Sequence, residues 1–190
     1  MLRRTLLALL LVLPGSLALA DGEVDKIMTA ADKARLAAYA ETRKAALLEA
    51  KAGAPGEVSR LDALVAKPEM PFSGIEMLGN WQCRTIKVGG LLPLIYYDWF
   101  KCRITEDTLG WLLEKTSGSQ RTTGRFYDES DRRLIYLGSF FIAGDKPNPY
   151  GSGPETDQVG YAYRSGEQEW RIELPAPYYE SKLDILEFRR

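Results

Sequence analysis

The pattern of apolar and polar positions divides the chain into three parts. An uninterrupted apolar run occupies residues 6–13, apolar residues then recur at helical spacing, and from Gly79 onward they form short alternating runs. A spacing of three and four residues is typical of an amphipathic helix, whereas alternation is typical of a strand with one buried face. We therefore divide the chain into a targeting segment (1–20), a helical preface with a connector (21–74) and a β domain (75–190) that forms one folded unit with the preface.

Residues 1–20 have the layout of a secretory signal peptide. Arg3 and Arg4 give it a positive start, the apolar run 6–13 follows, and small residues lead up to Ala20. The apolar run is shorter than the roughly twenty residues that a permanent membrane helix requires. We expect cleavage after Ala20 and a periplasmic or secreted protein, with no transmembrane segment after the signal is removed.

The preface has helical features. Thr29 suits a helix N-cap, apolar residues recur on one face after it, and Gly53 is a typical helix end. A second short helix is predicted over 57–66. Basic residues on the polar face would allow the first helix to contact a membrane surface or a partner protein. Packing of this helix on the β domain is the favoured alternative, because acidic residues interrupt the basic face.

Eight short runs rich in aromatic and β-branched residues follow, separated by residues that favour turns. The predicted strands are 80–88, 94–105, 110–116, 125–127, 133–142, 159–164, 169–174 and 183–188. Regular short strands with turns between them are typical of an antiparallel barrel or sandwich rather than of a βαβ fold. We therefore expect a mainly β protein with an N-terminal helix, in which an antiparallel meander either closes into a barrel of about eight strands or stays an open β-sandwich.

The two cysteines, Cys83 and Cys102, belong to the first two predicted strands. The alternation places Cys83 on the same face as Trp81, and Cys102 on the same face as Ile104. Two cysteines in an exported chain usually form a disulfide, and a redox-active pair would show the closer Cys-x-x-Cys spacing. The sequence therefore predicts a structural disulfide between neighbouring strands near the core, with a pair of free thiols as the remaining alternative.

Composition and charge exclude some classes of function. Hydrophobic residues make up 45% and charged residues 27% of the chain, as in an ordinary globular protein, and the formal net charge is -1. A mildly acidic chain is a poor candidate for binding nucleic acid. The chain has no histidine, which removes the most common general base and the most common metal ligand. We therefore name no catalytic residue, no metal ligand and no cofactor.

A hydrolase that uses two carboxylates, acting on polymers of the cell envelope, is the enzymatic alternative. Such a site needs two acids facing each other with one raised pKa. The spacing in the sequence does not select a pair among the acids on or near the predicted strands. These acids are Asp98, Glu114, Asp128, Asp157 and Glu173.

Polar side chains cluster in one predicted turn. Ser117, Ser119, Gln120 and Arg121 surround Gly118 and offer hydroxyl, amide and guanidinium groups suited to a carboxylate, phosphate or sugar. A purely structural turn would have the same composition. The aromatic side chains of the strands, Tyr136 among them, either fill the interior or line a pocket for an amphipathic molecule. Tyr136 and the four polar residues of the turn are the candidate ligand-binding residues.

Several ordered segments of the β domain resemble one known family. They are Trp81-x-Cys83-Arg84-x-Ile86-Lys87-x-Gly89, Phe100-Lys101-Cys102-Arg103, Ser117-Gly118-Ser119-Gln120-Arg121, Arg132-Arg133-Leu134-Ile135-Tyr136-Leu137-Gly138, Trp170-Arg171-Ile172-x-Leu174-Pro175 and Glu180-Ser181-x-Leu183-Asp184. Over about 27–188 the chain resembles an exported bacterial family known as domain of unknown function 4893. The resemblance implies an exported, disulfide-containing β domain and brings no established activity, ligand or catalytic residue.

A second resemblance concerns Gly79-x-Trp81, which is similar to the Gly-x-Trp that opens the first strand of lipocalin-like (calycin-like) barrels. In those barrels the tryptophan closes one end and an arginine from a late strand packs across it. The resemblance implies that Gly79 and Trp81 lie at a closed barrel end, with Arg171 or Arg189 across the indole ring.

These features favour a non-enzymatic periplasmic module that binds a small amphipathic ligand or a protein of the cell envelope. The carboxylate-dependent hydrolase is one alternative. A structural protein that docks through its N-terminal helix is the other.

Overall fold

The computed structural model describes residues 21–190, so the predicted signal peptide lies outside the described residues. Within this range four helices come first: α1 Asp21–Ile27, α2 Ala30–Ala37, α3 Tyr39–Ala50 and α4 Pro55–Val65. The strands are β1 Gly79–Gly90, β2 Leu94–Tyr96, β3 Phe100–Asp107, β4 Gly110–Lys115, β5 Gln120–Asp128, β6 Arg133–Ile142, β7 Asp157–Arg164, β8 Glu169–Pro175 and β9 Ser181–Arg189. From residue 21 onward, no helix is long and apolar enough to cross a membrane.

The antiparallel sheet closes on itself. β1 pairs with β3 on one side, with Trp81 opposite Cys102, and with β9 on the other, with Ile86 opposite Ile185. The remaining neighbours pair in sequence order from β3 to β9. Eight strands thus form a barrel, and β2 adds a short ninth strand beside the far half of β1. The mainly β fold with a closed barrel is confirmed, and the open sandwich is excluded.

The predicted strand 94–105 is divided into β2 and β3, because β1 has two partners along the same edge. The first half of β1 pairs with β3, and the second half of β1 pairs with β2. Residues 97–99 connect the two strands where the partner of β1 changes. β5 is also longer than predicted, since its polar first residues lie at one end of the barrel, where polar side chains face inward.

One end of the barrel is closed by packed aromatic rings. Trp170 stacks on Phe188 with ring centres 3.6 Å apart, and Trp81 meets Trp170 edge to face at 5.8 Å. The buried Trp81 indole donates its Nε1–H to the carbonyl of Met77 at 2.8 Å. We call this the closed end and the opposite end the mouth.

The arginine that covers Trp81 is not one of the two predicted residues. The guanidinium of Arg190 lies 4.0 Å from the centre of the Trp81 ring. Arg189 lies over Trp99 instead, and Arg171 is buried beneath the helices on the outside of the barrel. The strand alternation explains the correction: Phe188 takes the inward position, so Arg189 points outward, and Arg190, the next residue in the inward phase, lies across the closed end.

The predicted disulfide between Cys83 and Cys102 is present. It joins β1 to β3 next to Trp81, and both cysteines are buried in the apolar interior. The 19-residue separation closes a loop that contains all of β2.

The helices pack on the outside of the barrel. Ala46 of α3 and Leu61 of α4 meet Ile86 and Ile185 of the closure seam, and α1 and α2 cover part of β6 and β7. The single helix predicted from Thr29 to Gly53 is divided, because the backbone at Ala38 leaves the helical conformation and the two halves cover different strands.

A buried acid fixes α3 to the barrel. Glu173 of β8 is fully buried and accepts hydrogen bonds from Arg43 Nε at 2.6 Å, Tyr39 OH at 2.7 Å and Arg171 Nε at 2.8 Å. Burial acts to raise the pKa of the Glu173 carboxyl, but the charges and hydrogen bonds of Arg171 and Arg43 outweigh it and hold the pKa below its usual value. This network ties the polar face of α3 to the barrel wall.

Candidate functional site

The mouth of the barrel opens between loops. Residues 116–119, 143–156 and 176–180 connect successive strands at this end. Between them lies a cavity of about 50 Å³ that extends to inward-facing side chains of β1, β4, β5 and β9. Aromatic rings pack together at the closed end, whereas this cavity opens the barrel interior to solvent at the mouth.

Two lysines point into the barrel near the mouth. Lys87 of β1 pairs with Asp184 of β9, Nζ to Oδ2 at 3.4 Å, and with Glu180 Oε2 at 3.1 Å. Burial acts against the charge of Lys87, but the two carboxylates outweigh it and raise the pKa of its ammonium group. Lys87 is therefore a charged residue whose charge is compensated.

The second lysine, Lys115 of β4, is in a different situation. Its side chain lines the cavity and is only 5% exposed. In the part of the chain that the structure describes, no carboxylate oxygen lies within 4.0 Å of its Nζ, which lies over the face of Phe100, 4.5 Å from the ring centre. Burial, together with the nearby charge of Lys87, lowers the pKa of Lys115 to about 8.

Arg121 is a further cation of the cavity wall. Its Nε donates to the carbonyl of Gly118 at 3.1 Å. Among residues 24–190 no carboxylate forms an ion pair with its guanidinium. Within the described residues neither Lys115 nor Arg121 forms an ion pair, although the charge of Asp184 acts on Lys115 from a longer distance. Two such cations in one cavity favour an anionic ligand.

The five predicted binding residues separate into two groups. Gln120 and Arg121 line the cavity, as a binding role requires. Ser117 accepts a hydrogen bond from the amide of Lys101, and Ser119 is exposed on the turn. Both serines therefore belong to the turn itself and do not line the cavity.

Gly118 shows why this turn has its sequence. Its φ of +86° is a left-handed conformation, and a Cβ at this position would lie 3.0 Å from the ring of Phe100. A compact turn is thereby held against Phe100, which itself lies over Lys115.

Tyr136, the remaining predicted residue, lies below the cavity and does not line it. It is fully buried, and its hydroxyl is 2.6 Å from Oγ1 of Thr122, which donates to Oε1 of Gln158 at 2.5 Å. Thr122 and Gln158 line the cavity. The role of Tyr136 is therefore to position the polar floor.

Part of the cavity wall is apolar. Phe140, Leu174 and Leu186 form it. Tyr178 and Tyr179 at the rim are 55% and 44% exposed, and the Tyr179 ring lies 5.7 Å from the ring of Phe140. A ligand with a charged head and an apolar tail would meet a matching surface for each part.

The tyrosine-bearing loop has an unusual backbone. Ala176 and Glu180, which flank Pro177–Tyr179, have positive φ values of 44° and 68°. In the described residues these are the non-glycine positions in the left-handed region, which costs energy for residues with a Cβ. Such strain often occurs at ligand clamps, and here it occurs at the rim of the cavity.

The acids of the hydrolase hypothesis occupy different environments. Asp157 lines the cavity, but its Oδ1 accepts the backbone N–H groups of Gly151 and Ser152 at 3.0 and 3.1 Å. Glu173 faces the helices outside the barrel, and Glu114 is exposed on the outer surface. Asp157 is thus occupied by the loop that it stabilises.

Other surface depressions are less suited to a ligand. The one near Phe72 and Trp111 at the closed end is larger, about 580 Å³, but it is more open to solvent. Its acidic residues, Asp128 and Asp131, are exposed. Across residues 21–190, no group of three or more Cys, Asp or Glu side chains is arranged to hold a metal ion.

Sequence reasoning missed Lys87 and Lys115, although a signal for both is present. Alternation from Cys83 points Lys87 into the barrel, and alternation from Leu113 does the same for Lys115. Because lysine is rarely buried, neither residue was among the predicted site residues.

Comparison with known proteins agrees with the resemblance found in the sequence. No curated protein and no solved structure matches the chain. The profile of one protein family, described as domain of unknown function (DUF4893), matches residues 25–188, which include β1 to β8 and all of β9 except its last residue. The chain therefore belongs to the DUF4893 family.

Proposed function

We propose that the protein is a periplasmic binding module that takes a small amphipathic anion at the mouth of its barrel. The observation that carries the proposal is the position of Lys115, a buried cation that faces the cavity with no carboxylate within 4.0 Å in the described chain. An unpaired buried charge costs free energy in the unbound protein. A bound anion would remove that cost.

Arg121 strengthens the argument for an anion. A planar guanidinium is suited to a carboxylate or a phosphate, and its Nε is held by the Gly118 carbonyl. In this arrangement Lys115 supplies a second charge from the opposite side of the β4–β5 turn.

The size of the cavity limits how much of the ligand enters. A cavity of about 50 Å³ has room for only about three or four water molecules. The head group therefore occupies the cavity, and the apolar tail lies along Tyr178 and Tyr179 at the rim. This differs from a barrel that encloses its whole ligand.

The disulfide supports the proposed location. Disulfides persist mainly in oxidising compartments such as the periplasm, and Cys83 and Cys102 are paired. Export would agree with the signal peptide predicted from residues 1–20.

The proposal is tested with three ligands that share one tail: octanoate, 1-octanol and octyltrimethylammonium. Isothermal titration calorimetry at pH 7 measures their affinities for the wild type, for Lys115→Met and for the control Lys101→Met, which removes an exposed lysine of the neighbouring strand. We expect octanoate to bind best, and Lys115→Met to weaken its binding by about tenfold or more. Lys101→Met should bind octanoate like the wild type.

Two results would contradict the proposal. One is equal affinity for the three ligands, which would indicate binding through the tail alone. The other is octanoate binding that Lys115→Met leaves unchanged while circular dichroism shows a folded barrel.

A further inference from the structure

Lys115 combines three properties that a reactive amine requires. It is buried, it lines a cavity that opens to solvent, and its Nζ has no acid within 4.0 Å among residues 24–190. A lysine that is desolvated or placed near another cation is more often neutral, and a neutral amine is nucleophilic. Lys115 meets both conditions, since Lys87 is the nearby cation.

The neighbouring lysine serves as an internal comparison. Lys87 lines the same cavity, but Asp184 and Glu180 pair with its ammonium group. The two acids hold Lys87 in its charged form. The barrel therefore divides the roles between two lysines, of which one is charged and paired and the other is free to react.

We infer that Lys115 is a carbonyl-reactive amine that forms an imine with a small amphipathic 2-oxo acid, whose carboxylate is held by Arg121. The inference rests on the proposed function in one respect, the binding of an anionic head group at the mouth. It goes further in assigning the ligand a carbonyl group next to its carboxylate.

Lys115 and the ligand supply all the atoms and electrons of the reaction. The Nζ lone pair of neutral Lys115 attacks the carbonyl carbon and forms a C–N bond. The carbonyl oxygen then leaves as water, and it takes both hydrogens of the amine with it. The product is a C=N double bond between Lys115 and the ligand, and no oxidant or reductant takes part.

The position of Arg121 decides in favour of a 2-oxo acid over a simple aldehyde. Arg121 and Lys115 both line a cavity of about 50 Å³, and their charges interact. A carboxylate bound to Arg121 places an adjacent carbonyl toward Lys115, and such positioning is a major source of rate for a covalent step. A simple aldehyde would leave Arg121 without an anion.

The protonation state of Lys115 agrees with this role. Burial and the charge of Lys87 lower its pKa to about 8. At pH 7 about a tenth of the side chain is then neutral, far more than for an exposed lysine. The neutral fraction is the form that attacks a carbonyl.

The experiment traps the imine by reduction. Folded protein is incubated at pH 7 with 2-oxooctanoate and sodium cyanoborohydride, which converts an imine to a stable secondary amine. Digestion and tandem mass spectrometry then give the labelling rate of each lysine. We expect Lys115 to be labelled about tenfold faster than the exposed Lys101 in the same sample, with Lys87 slower than Lys115.

Two further arms make the result specific. In a denaturant that unfolds the barrel, Lys115 and Lys101 should react at equal rates. Excess octanoate should slow the labelling of Lys115 alone, and Lys115→Arg should remove the fast site. If Lys115→Arg fails to fold, the comparison of lysines within the wild type still decides.

Labelling of Lys115 no faster than that of Lys101 in the folded protein would overturn the inference. This failure is distinct from failure of the proposed function, which is measured by octanoate binding without a reductant. If octanoate binds but Lys115 is not labelled fast, the anion-binding proposal is supported and the reactive amine is contradicted. If Lys115 is labelled fast but octanoate does not bind, the reactive amine is supported and the anion-binding proposal is contradicted.

Discussion

The guanidinium of Arg190 lies 4.0 Å from the centre of the Trp81 ring, at the end of the barrel opposite the cavity. Arg190 Nε also donates to the carbonyl of Asn80 at 3.1 Å, so the last described residue holds the beginning of β1. The closed end thus depends on a contact between the two ends of the β domain.

Replacing Arg190 by Ala should lower the free energy of unfolding by about 1 kcal/mol, because a cation–π contact and backbone hydrogen bonds are lost. Hydrogen exchange of the Trp81 indole N–H, which is bonded to Met77, should become faster. Arg189→Ala is the matched control, since Arg189 lies over Trp99. Equal effects of the two variants on the Trp81 indole would show that Arg190 does not protect this end.

Glu173 should be the most sensitive acid on the outer wall. Glu173→Gln leaves Arg43 and Arg171 without their shared counter-charge and should cost about 3 kcal/mol in urea denaturation. The control is Glu41→Gln, which changes an exposed acid on helix α3, the helix that carries Arg43, and should cost less than about 0.5 kcal/mol.

The lowered pKa of Glu173 also predicts that the protein loses stability at low pH. The folded pKa of Glu173 lies below the usual 4.5 of a glutamate carboxyl, so the unfolded chain takes up the proton first as the pH falls. Its contribution is complete above about pH 4.5 and is lost as the pH drops through the folded pKa. Hydrogen exchange should show α3 loosening in that range, and a rigid α3 at pH 3 would contradict the prediction.

Lys115→Met should stabilise the unbound protein. The pKa of Lys115 is about 8 in the folded protein against 10.5 for a free lysine, so the unfolded chain binds more protons between these values. The cost of the buried ammonium is complete below about pH 8 and disappears as the pH rises toward 10.5. We expect a gain of about 2 kcal/mol at pH 7 that shrinks toward pH 10, with no gain for Lys101→Met.

The affinity for octanoate should depend on pH through the same residue. Octanoate stays ionised at neutral and alkaline pH, whereas Lys115 loses its charge above about pH 8. The affinity of the wild type should therefore fall by up to about tenfold per pH unit above that point. Calorimetry of Lys115→Met should show a weak affinity with little change over the same range, and a parallel decline in both proteins would assign the titration to another group.

Removing the disulfide tests its contribution to stability. Closing a loop of 19 residues is worth about 3 kcal/mol in the chain-entropy model. The double replacement Cys83→Ala and Cys102→Ala should lose about this amount, as should the reduced wild type. A much smaller loss would indicate that the unfolded chain already keeps β1 and β3 together.

Much of the fold could be predicted because the alternation of apolar and polar residues shows which side chains of a strand face inward. Trp81 and Cys83 identify the inward-facing positions of β1, and Cys102 identifies those of β3. Both follow from local pattern, as does the disulfide between them. The division of 94–105 into two strands depends on β1 changing its partner, a tertiary event that a local pattern does not encode.

The candidate site was only partly predictable for a related reason. Gln120 and Arg121 were found because a polar turn is visible in the sequence, and both line the cavity. Alternation from Leu113 points Lys115 inward, but the burial of its side chain is set by strands that are distant in sequence. The strain at Ala176 and Glu180 has no signal in composition, since neither residue is one that prefers a positive φ.

The way in which the barrel closes also sets an order for folding. Cys83 and Cys102 are 19 residues apart in sequence. Gln82 and Arg189, whose side chains form a hydrogen bond where β1 meets β9, are separated by 107 residues. Contacts between distant segments form slowly because the chain must search more conformations before they are made. The disulfide can therefore form while β9 is still free, and pairing of β9 with β1 completes the barrel last. Since Lys87 and Asp184 line the mouth cavity and face each other across that same seam, the cavity is completed only in the final step of folding.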